Sequence, residues 1–101
     1  MFDDCDFERA LIGALAGIFG ATGQTCIAGS RLLVQRGIYE RMVDGLAARA
    51  GQIKLGDPRL PETEMGTAAN EPQFDRILSF IEAAKGQGAR LVAGGGRAEG
   101  P

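Results

Sequence analysis

The sequence contains no histidine and only two cysteines, Cys5 and Cys26. Without histidine there is no Cys-His or Ser-His nucleophile pair and no metal site with an imidazole ligand. Two cysteines are too few for a disulfide scaffold, and the absence of a CxxC spacing argues against zinc. We therefore expect no metal site, and any chemistry must come from a cysteine, from carboxylates or from groups supplied elsewhere.

A strong charge and a long apolar run are also missing. Eleven basic and thirteen acidic residues leave a net charge of −2, which argues against nucleic acid or an anionic membrane as partner. No apolar run approaches the length of a membrane span, and the N-terminal MFDDCDFE is acidic where a secretion signal would be basic. At 101 residues and 45% hydrophobic content, we expect at most one packed domain with reduced thiols in the cytoplasm.

The spacing of the apolar residues predicts three helices and two short strands. The helices are expected at Asp6 to Gly20, Ile38 to Ile53 and Glu71 to Lys85, and the strands at Arg31 to Gln35 (RLLVQ) and Ala89 to Ala93 (ARLVA). The predicted fold class is therefore α/β, in the order helix, strand, helix, helix, strand. Strands that follow helices suggest parallel pairing, and two strands leave the parallel sheet incomplete.

Glycines mark two further features of the sequence. Gly13 and Gly17 lie four residues apart in the first predicted helix, where close packing against another backbone would explain them. Gly94-Gly95-Gly96 does not fit the GxGxxG pattern of a dinucleotide site, so we interpret residues 94–101 as a turn or linker tail. No cofactor-binding residue is predicted in the chain.

Cys26 lies among small, turn-forming residues in GATGQTCIAGSRLLVQ, residues 20–35. Glycines let backbone N–H groups approach a reacting atom, and a thiolate at the start of a helical turn is stabilised by the local dipole. A nucleophilic cysteine needs both, together with oxyanion stabilisation from its own backbone N–H. The residues alone leave two interpretations open, a nucleophile and a buried structural thiol.

The segment GQTCIAGSR, residues 23–31, resembles the catalytic-cysteine signature of the aldehyde dehydrogenase superfamily. FDDCDFERA, residues 2–10, is similar to the acidic helix entrance upstream of that cysteine. Residues 31–58 resemble the strand, helix and Gly-Asp-Pro loop that follow it, and residues 64–97 are similar to the next stretch. The whole chain, residues 1–101, is thus identified as a single central segment of the family's catalytic domain.

The resemblance implies NAD(P)-dependent oxidation of an aldehyde to a carboxylic acid, through a thiohemiacetal and a thioester on the cysteine. It also implies a homo-oligomer and a small-molecule aldehyde as substrate. By position in the motif, it assigns Cys26 as the nucleophile, Gly20, Thr25 and Ile27 to the substrate pocket, and Gly23, Gln24 and Arg31 to support of the motif.

The departures from the family pattern limit what this chain can do. The family's general-base glutamate, oxyanion asparagine and dinucleotide-binding domain have no counterpart in these 101 residues. We therefore expect the binding site for NAD or NADP to lie outside this chain, and the isolated chain to be inactive. Two alternatives stay open: a non-catalytic α/β module that self-associates through uncovered apolar faces, and a redox-reactive thiol at Cys26.

Overall fold

The computed structural model describes residues 1–99 and contains three α-helices. They are α1 (Phe7–Phe19), α2 (Tyr39–Ala50) and α3 (Glu71–Gly86), with 3₁₀ turns at Gly20–Gly23 and Arg36–Ile38. All three predicted helices are confirmed. The chain forms two compact units, one over Met1–Gln52 with α1 and α2, and one from Ile53 onward with α3. None of the helices within residues 1–99 is long and apolar enough to cross a membrane.

The first unit is built on the contact between α1 and α2. Asp6 caps α1, because its carboxylate accepts a hydrogen bond from the backbone N–H of Arg9 at 3.2 Å. Leu11 of α1 and Met42 of α2 are its buried side chains. Gly45 lets the helices approach, since a Cβ built there would lie 3.3 Å from both terminal methyls of Leu11. The charged side chains of α2 are exposed: Glu40, Arg41, Asp44 and Arg49.

The strand predicted at residues 31–35 is wrong, because the segment forms no strand in the structure. It does make one rung of parallel pairing: the amino group of Met1 donates to the Leu33 carbonyl at 2.7 Å, and the N–H of Gln35 donates to the Met1 carbonyl at 2.9 Å. Leu33 is 82% exposed. A parallel strand needs partners along its length and cover on both faces, and a single rung provides neither.

The second unit combines a closed loop with α3. The loop is held by a bridge between Leu55 and Met65 and by the N–H of Lys54, which donates to the Glu64 carboxylate at 2.9 Å. Asn70 caps α3, since its side chain accepts from the N–H of Gln73 at 2.9 Å. No residue of α3 is fully buried.

The second predicted strand, at residues 89–93, is also wrong. Leu91 and Val92 are each 47% exposed and belong to no strand in residues 1–99, so the predicted order of helices and strands is not confirmed. The physical reason is the same as for residues 31–35, since no neighbouring strand supplies a ladder. Of the predicted tail, residues 94–99 are irregular, whereas residues 100–101 lie outside the described residues.

Candidate functional site

Cys26 lies on a loop that begins where α1 ends. The N–H of Gly20 donates to the carbonyl of Ala16 and closes the last helical turn. The next three residues then adopt left-handed backbone conformations, with φ of 49° at Ala21, 57° at Thr22 and 71° at Gly23. These three residues reverse the chain directly ahead of the cysteine.

The left-handed stretch explains the glycine of the motif. A left-handed conformation costs an L-residue about 1–2 kcal/mol, and Ala21 and Thr22 both adopt it. At Gly23 a side chain would meet a second obstacle, because a Cβ built there would lie 3.0 Å from the carbonyl oxygen of Ile18. Gly23 is therefore required by both backbone conformation and space.

Hydrogen bonds of Thr22 and Gln24 hold this reversal. The Thr22 hydroxyl donates to the Ala21 carbonyl at 2.6 Å, and Gln24 Nε2 donates to the same hydroxyl oxygen. The backbone N–H of Gln24 also donates to the Ala21 carbonyl, at 3.1 Å. The side chain of Gln24 thus braces the turn, which gives a physical role to a residue predicted only as motif support. The sequence reasoning did not single out Thr22.

Cys26 occupies the second position of the turn that follows. The N–H of Ala28 donates to the carbonyl of Thr25 at 3.2 Å and closes this turn around Cys26 and Ile27. The N–H of Gly29 then donates to the carbonyl of Gly17 at 2.8 Å, which ties the end of the loop to α1. This bond also satisfies a carbonyl in the last turn of the helix.

The thiol of Cys26 is free and exposed. In this chain the thiol is therefore not buried, as the interpretation as a structural thiol would require. Within residues 1–99, the backbone N–H groups of Cys26 and Ile27 donate to no protein acceptor. The loop thus presents a free thiol and two available N–H donors on one short turn, which is suited to nucleophilic addition and to binding an oxyanion.

The other predicted pocket residues lie on the same loop. Gly20, Thr25 and Ile27 are all exposed, and Ile27 is 88% exposed. A Cβ built at Gly20 would meet no atom within 4 Å, so open space surrounds this position. Arg31 is exposed and lies beyond the loop, at the start of the extended segment. The structure therefore brings the pocket residues, Gly23 and Gln24 together with Cys26, but leaves Arg31 outside the loop.

The glycines near the end of the chain do not form a phosphate cradle. Gly94 and Gly95 have φ of 65° and 88°, but no strand precedes them and no helix follows within the described residues. A Cβ built at Gly95 would lie 2.7 Å from a methyl of Leu91, so a side chain of the chain itself fills this space. The segment Gly94–Gly96 therefore does not fit the phosphates of a dinucleotide. In residues 1–99 no group of three acidic or cysteine side chains is arranged to hold a metal ion.

The whole chain, including this loop, is similar to proteins of one known family. The sequence model of the aldehyde dehydrogenase family matches residues 1–101. The chain is 45% identical over 96 residues to a betaine aldehyde dehydrogenase from Brucella anthropi, covering 95% of this chain and 20% of that protein.

Two solved structures show the same similarity in three dimensions. A variant of aldehyde dehydrogenase from Bacillus cereus superposes with a TM-score of 0.96 at 44% identity, covering 99% of this chain and 20% of that one. A double mutant of betaine aldehyde dehydrogenase from Staphylococcus aureus, in complex with NAD⁺ and with a BME-modified cysteine, gives 0.95 at 40% identity, with the same coverage. The chain thus spans about a fifth of the length of the relatives that it matches.

Proposed function

This chain belongs to the aldehyde dehydrogenase family, and from that premise we propose that it supplies the nucleophilic cysteine of an enzyme that oxidises an aldehyde to a carboxylic acid. The observation that carries the proposal is the exposed, free thiol of Cys26 on a turn where the N–H groups of Cys26 and Ile27 donate to no acceptor within residues 1–99. The exposure agrees with a role that requires contact with a substrate. A thiol used for packing would be buried.

In the proposed reaction, the Cys26 thiol loses its proton to water, and the resulting thiolate sulfur adds to the carbonyl carbon of the aldehyde. A C–S bond forms, and the electron pair of the C=O π bond moves to oxygen, which gives an alkoxide. The backbone N–H of Cys26 donates to this alkoxide and stabilises the charge that develops there. Because such a donor is fixed on the backbone, its position depends on the turn Thr25–Ala28.

The substrate class is an aldehyde, and the Brucella anthropi and Staphylococcus aureus relatives are named for betaine aldehyde. We propose that Thr25 and Ile27 line the approach to the thiol, with Gly20 leaving additional room. Both NAD and NADP fit the proposal as the oxidant, and it assigns their binding to residues other than those of this chain. A cytoplasmic location and a homo-oligomeric whole protein, expected from the sequence, belong to the same proposal.

A hybrid protein tests this function directly. Residues 1–101 replace the matching fifth of the Bacillus cereus aldehyde dehydrogenase, to which they are 44% identical. We expect the hybrid to reduce NAD or NADP in the presence of betaine aldehyde or a short aliphatic aldehyde. The change Cys26→Ser should lower kcat by about 10³-fold or more, because a hydroxyl is a far weaker nucleophile than a thiolate.

The matched control is Cys5→Ser, which removes the other thiol of the chain. This thiol is half-buried at the entrance of α1, so its loss should leave kcat within about twofold of the parent hybrid. A soluble hybrid that binds NAD or NADP but does not oxidise any aldehyde would contradict the proposal. Equal activity of the Cys26→Ser variant and its parent would contradict it as well.

The isolated chain provides a second test. We expect the 101 residues alone to reduce neither NAD nor NADP with an aldehyde, because no dinucleotide cradle exists in the described residues. The measurement is absorbance at the wavelength of the reduced nicotinamide, at saturating cofactor. Turnover above that of the Cys26→Ser chain would contradict this expectation.

The same exposed thiol also favours a second function, as a redox-reactive cysteine. A substrate pocket is needed for the first function but not for this one. The two functions are separated by testing whether an added aldehyde slows the alkylation of Cys26, with Cys5 in the same molecule as the reference. Protection confined to Cys26 supports aldehyde binding, whereas oxidation by peroxide without such protection supports the redox function.

A further inference from the structure

The hydroxyl of Thr22 links both ends of the reversal ahead of Cys26. It donates to the carbonyl of Ala21 at 2.6 Å and accepts a hydrogen bond from the side chain of Gln24. Thr22 itself has φ of 57°, a conformation that a β-branched residue rarely adopts. A residue kept in an unfavourable conformation next to a reactive group points to a demand for its side chain there.

At position 22, glycine would adopt the left-handed conformation with less strain than threonine. A glycine with φ near 57° would carry no conformational penalty, and Gly23 shows that the loop already uses one. What glycine cannot supply is the hydroxyl that accepts from Gln24 Nε2. Of the two residues, Gln24 stands only two positions before Cys26, so fixing Gln24 fixes the entry to the turn that carries the thiol.

The far end of the loop is fixed independently. The N–H of Gly29 donates to the carbonyl of Gly17 at 2.8 Å, and the N–H of Ala28 donates to the carbonyl of Thr25 at 3.2 Å. Cys26 therefore lies between two restrained points, and the Thr22–Gln24 pair restrains the nearer one through side chains. A group held at both ends samples fewer orientations than one held at one end only.

From this arrangement we propose that Thr22 is a positioning residue, whose hydroxyl acts through Gln24 to orient Cys26 and its backbone N–H toward a carbonyl substrate. The inference rests on the proposed function of Cys26 as the nucleophile. It adds a residue outside the GQTC segment, and it assigns the bracing to the hydroxyl group of the side chain.

Three variants of the chain separate the hydroxyl from backbone strain. Thr22→Val keeps the β-branched shape and the same conformational penalty but removes the hydroxyl. Thr22→Gly removes both the hydroxyl and the penalty, so it folds even if the valine variant does not. Thr22→Ser keeps the hydroxyl and is the conservative rescue.

The main readout is the rate of alkylation of Cys26 by iodoacetamide divided by that of Cys5 in the same molecule, followed by mass spectrometry. Iodoacetamide carries a carbonyl oxygen that the N–H of Cys26 can bind, so the ratio reports on the orientation of the turn. The second readout is hydrogen exchange at the Gln24 amide, which donates to the Ala21 carbonyl.

We expect Thr22→Val and Thr22→Gly to lower the ratio by about threefold or more and to speed exchange at Gln24, with Thr22→Ser close to the parent chain. An unchanged ratio in the valine and glycine variants would overturn the proposal, even if exchange at Gln24 becomes faster. A serine variant that behaves like valine, or a glycine variant that behaves like the parent, would also overturn it. These readouts need no turnover. An inactive hybrid protein would therefore contradict the proposed function without deciding whether the hydroxyl of Thr22 positions Cys26.

Discussion

At the scale of single residues, Gly23 carries the strongest local constraint in the loop. Its φ is 71°, and a Cβ built there would lie 3.0 Å from the carbonyl of Ile18, a backbone atom that cannot rotate away. We expect Gly23→Ala to lower the free energy of unfolding by about 1–2 kcal/mol, since alanine suffers both the left-handed conformation and the close contact. Urea unfolding followed by circular dichroism measures the difference.

Gly20→Ala is the matched control for this change. At Gly20 the backbone has φ of −53°, and an added Cβ meets nothing within 4 Å. Alanine there reduces the freedom of the unfolded chain without strain, so the free energy of unfolding should stay equal or rise by up to about 1 kcal/mol. Equal losses in both variants would contradict the constraint assigned to Gly23.

A second residue-scale prediction concerns Asp57. Hydrogen bonds from the side chain and then the backbone of Arg59 hold the pKa of Asp57 below its ordinary value of 3.8. We expect Arg59→Gln to raise the pKa of Asp57 toward that value, but not fully, because the backbone N–H of residue 59 remains 3.0 Å from the carboxylate. Titration of the Asp57 carboxyl carbon by NMR measures the shift, and Arg36→Gln serves as a control that removes a positive charge not among the hydrogen-bond partners of Asp57.

The sign of the effect on stability follows from the direction of this pKa shift. The folded-state pKa is lower than the unfolded one, so the contribution of Asp57 is present above the unfolded value and is lost as pH falls through the folded one. Because Asp57 and Arg59 lie at the surface, this contribution is small. A pKa of Asp57 unchanged by Arg59→Gln would show that the side-chain hydrogen bonds do not form in solution.

Residue-level sequence reasoning singled out Cys26, Gly23 and Gln24 as candidates but not Thr22, the hydrogen-bond partner of Gln24. The motif GQTC drew attention to Gly23 and Gln24, and the structure gives both a physical role. Nothing in the sequence predicts left-handed conformations at Ala21 and Thr22, because neither residue type favours them. Such departures from local preference become visible only in the folded backbone.

At the scale of helices, glycine has two different environments that sequence did not distinguish. Gly13 and Gly17 were expected to pack closely against another backbone. The carbonyl of Gly17 does accept from the N–H of Gly29 at 2.8 Å, but a Cβ at either position meets no atom within 4 Å. The glycine at the close approach is Gly45 of α2, which faces Leu11 of α1. The amphipathic pattern locates the helices but does not identify which of their glycines lies at the contact.

Because Gly13 and Gly45 lie in different environments, replacing each with alanine should change the free energy of unfolding in opposite directions. Gly13→Ala should raise the free energy of unfolding by up to about 1 kcal/mol, because alanine favours the helix and fills open space. Gly45→Ala should gain nothing or lose up to about 2 kcal/mol, because the new methyl must displace Leu11. Thermal unfolding of the two variants beside the parent chain tests this, and equal stabilisation by both would refute the close contact at Gly45.

The two missing strands illustrate what a local pattern cannot determine. The apolar residues of RLLVQ and ARLVA fit a buried parallel strand, but a strand exists only with a partner. Residues 33 and 35 find one rung with Met1, in the hydrogen-bond pattern of a parallel pair, and the pairing extends no further in residues 1–99. Helices could be predicted because their hydrogen bonds are local, whereas strands depend on segments distant in sequence.

At the scale of the whole molecule, few of the apolar side chains in residues 1–99 are buried, and many are half-buried or exposed. Leu11 and Met42 are the buried hydrophobic residues among those described, while Leu33 is 82% and Phe80 64% exposed. Domains with native stability cover a much larger share of such side chains. The free chain therefore has apolar surface available for association with further copies of itself.

We expect the isolated chain to self-associate at micromolar concentration, with an apparent mass in sedimentation equilibrium that rises with concentration. The double change Leu33→Lys and Phe80→Lys should shift the species toward monomer, because each lysine places a charge in the exposed apolar surface. Gln52→Lys adds a charge at an exposed polar position and should leave the association unchanged. A parent chain that is monomeric across the concentration range, or equal effects of the apolar and polar substitutions, would show that these exposed side chains do not drive association.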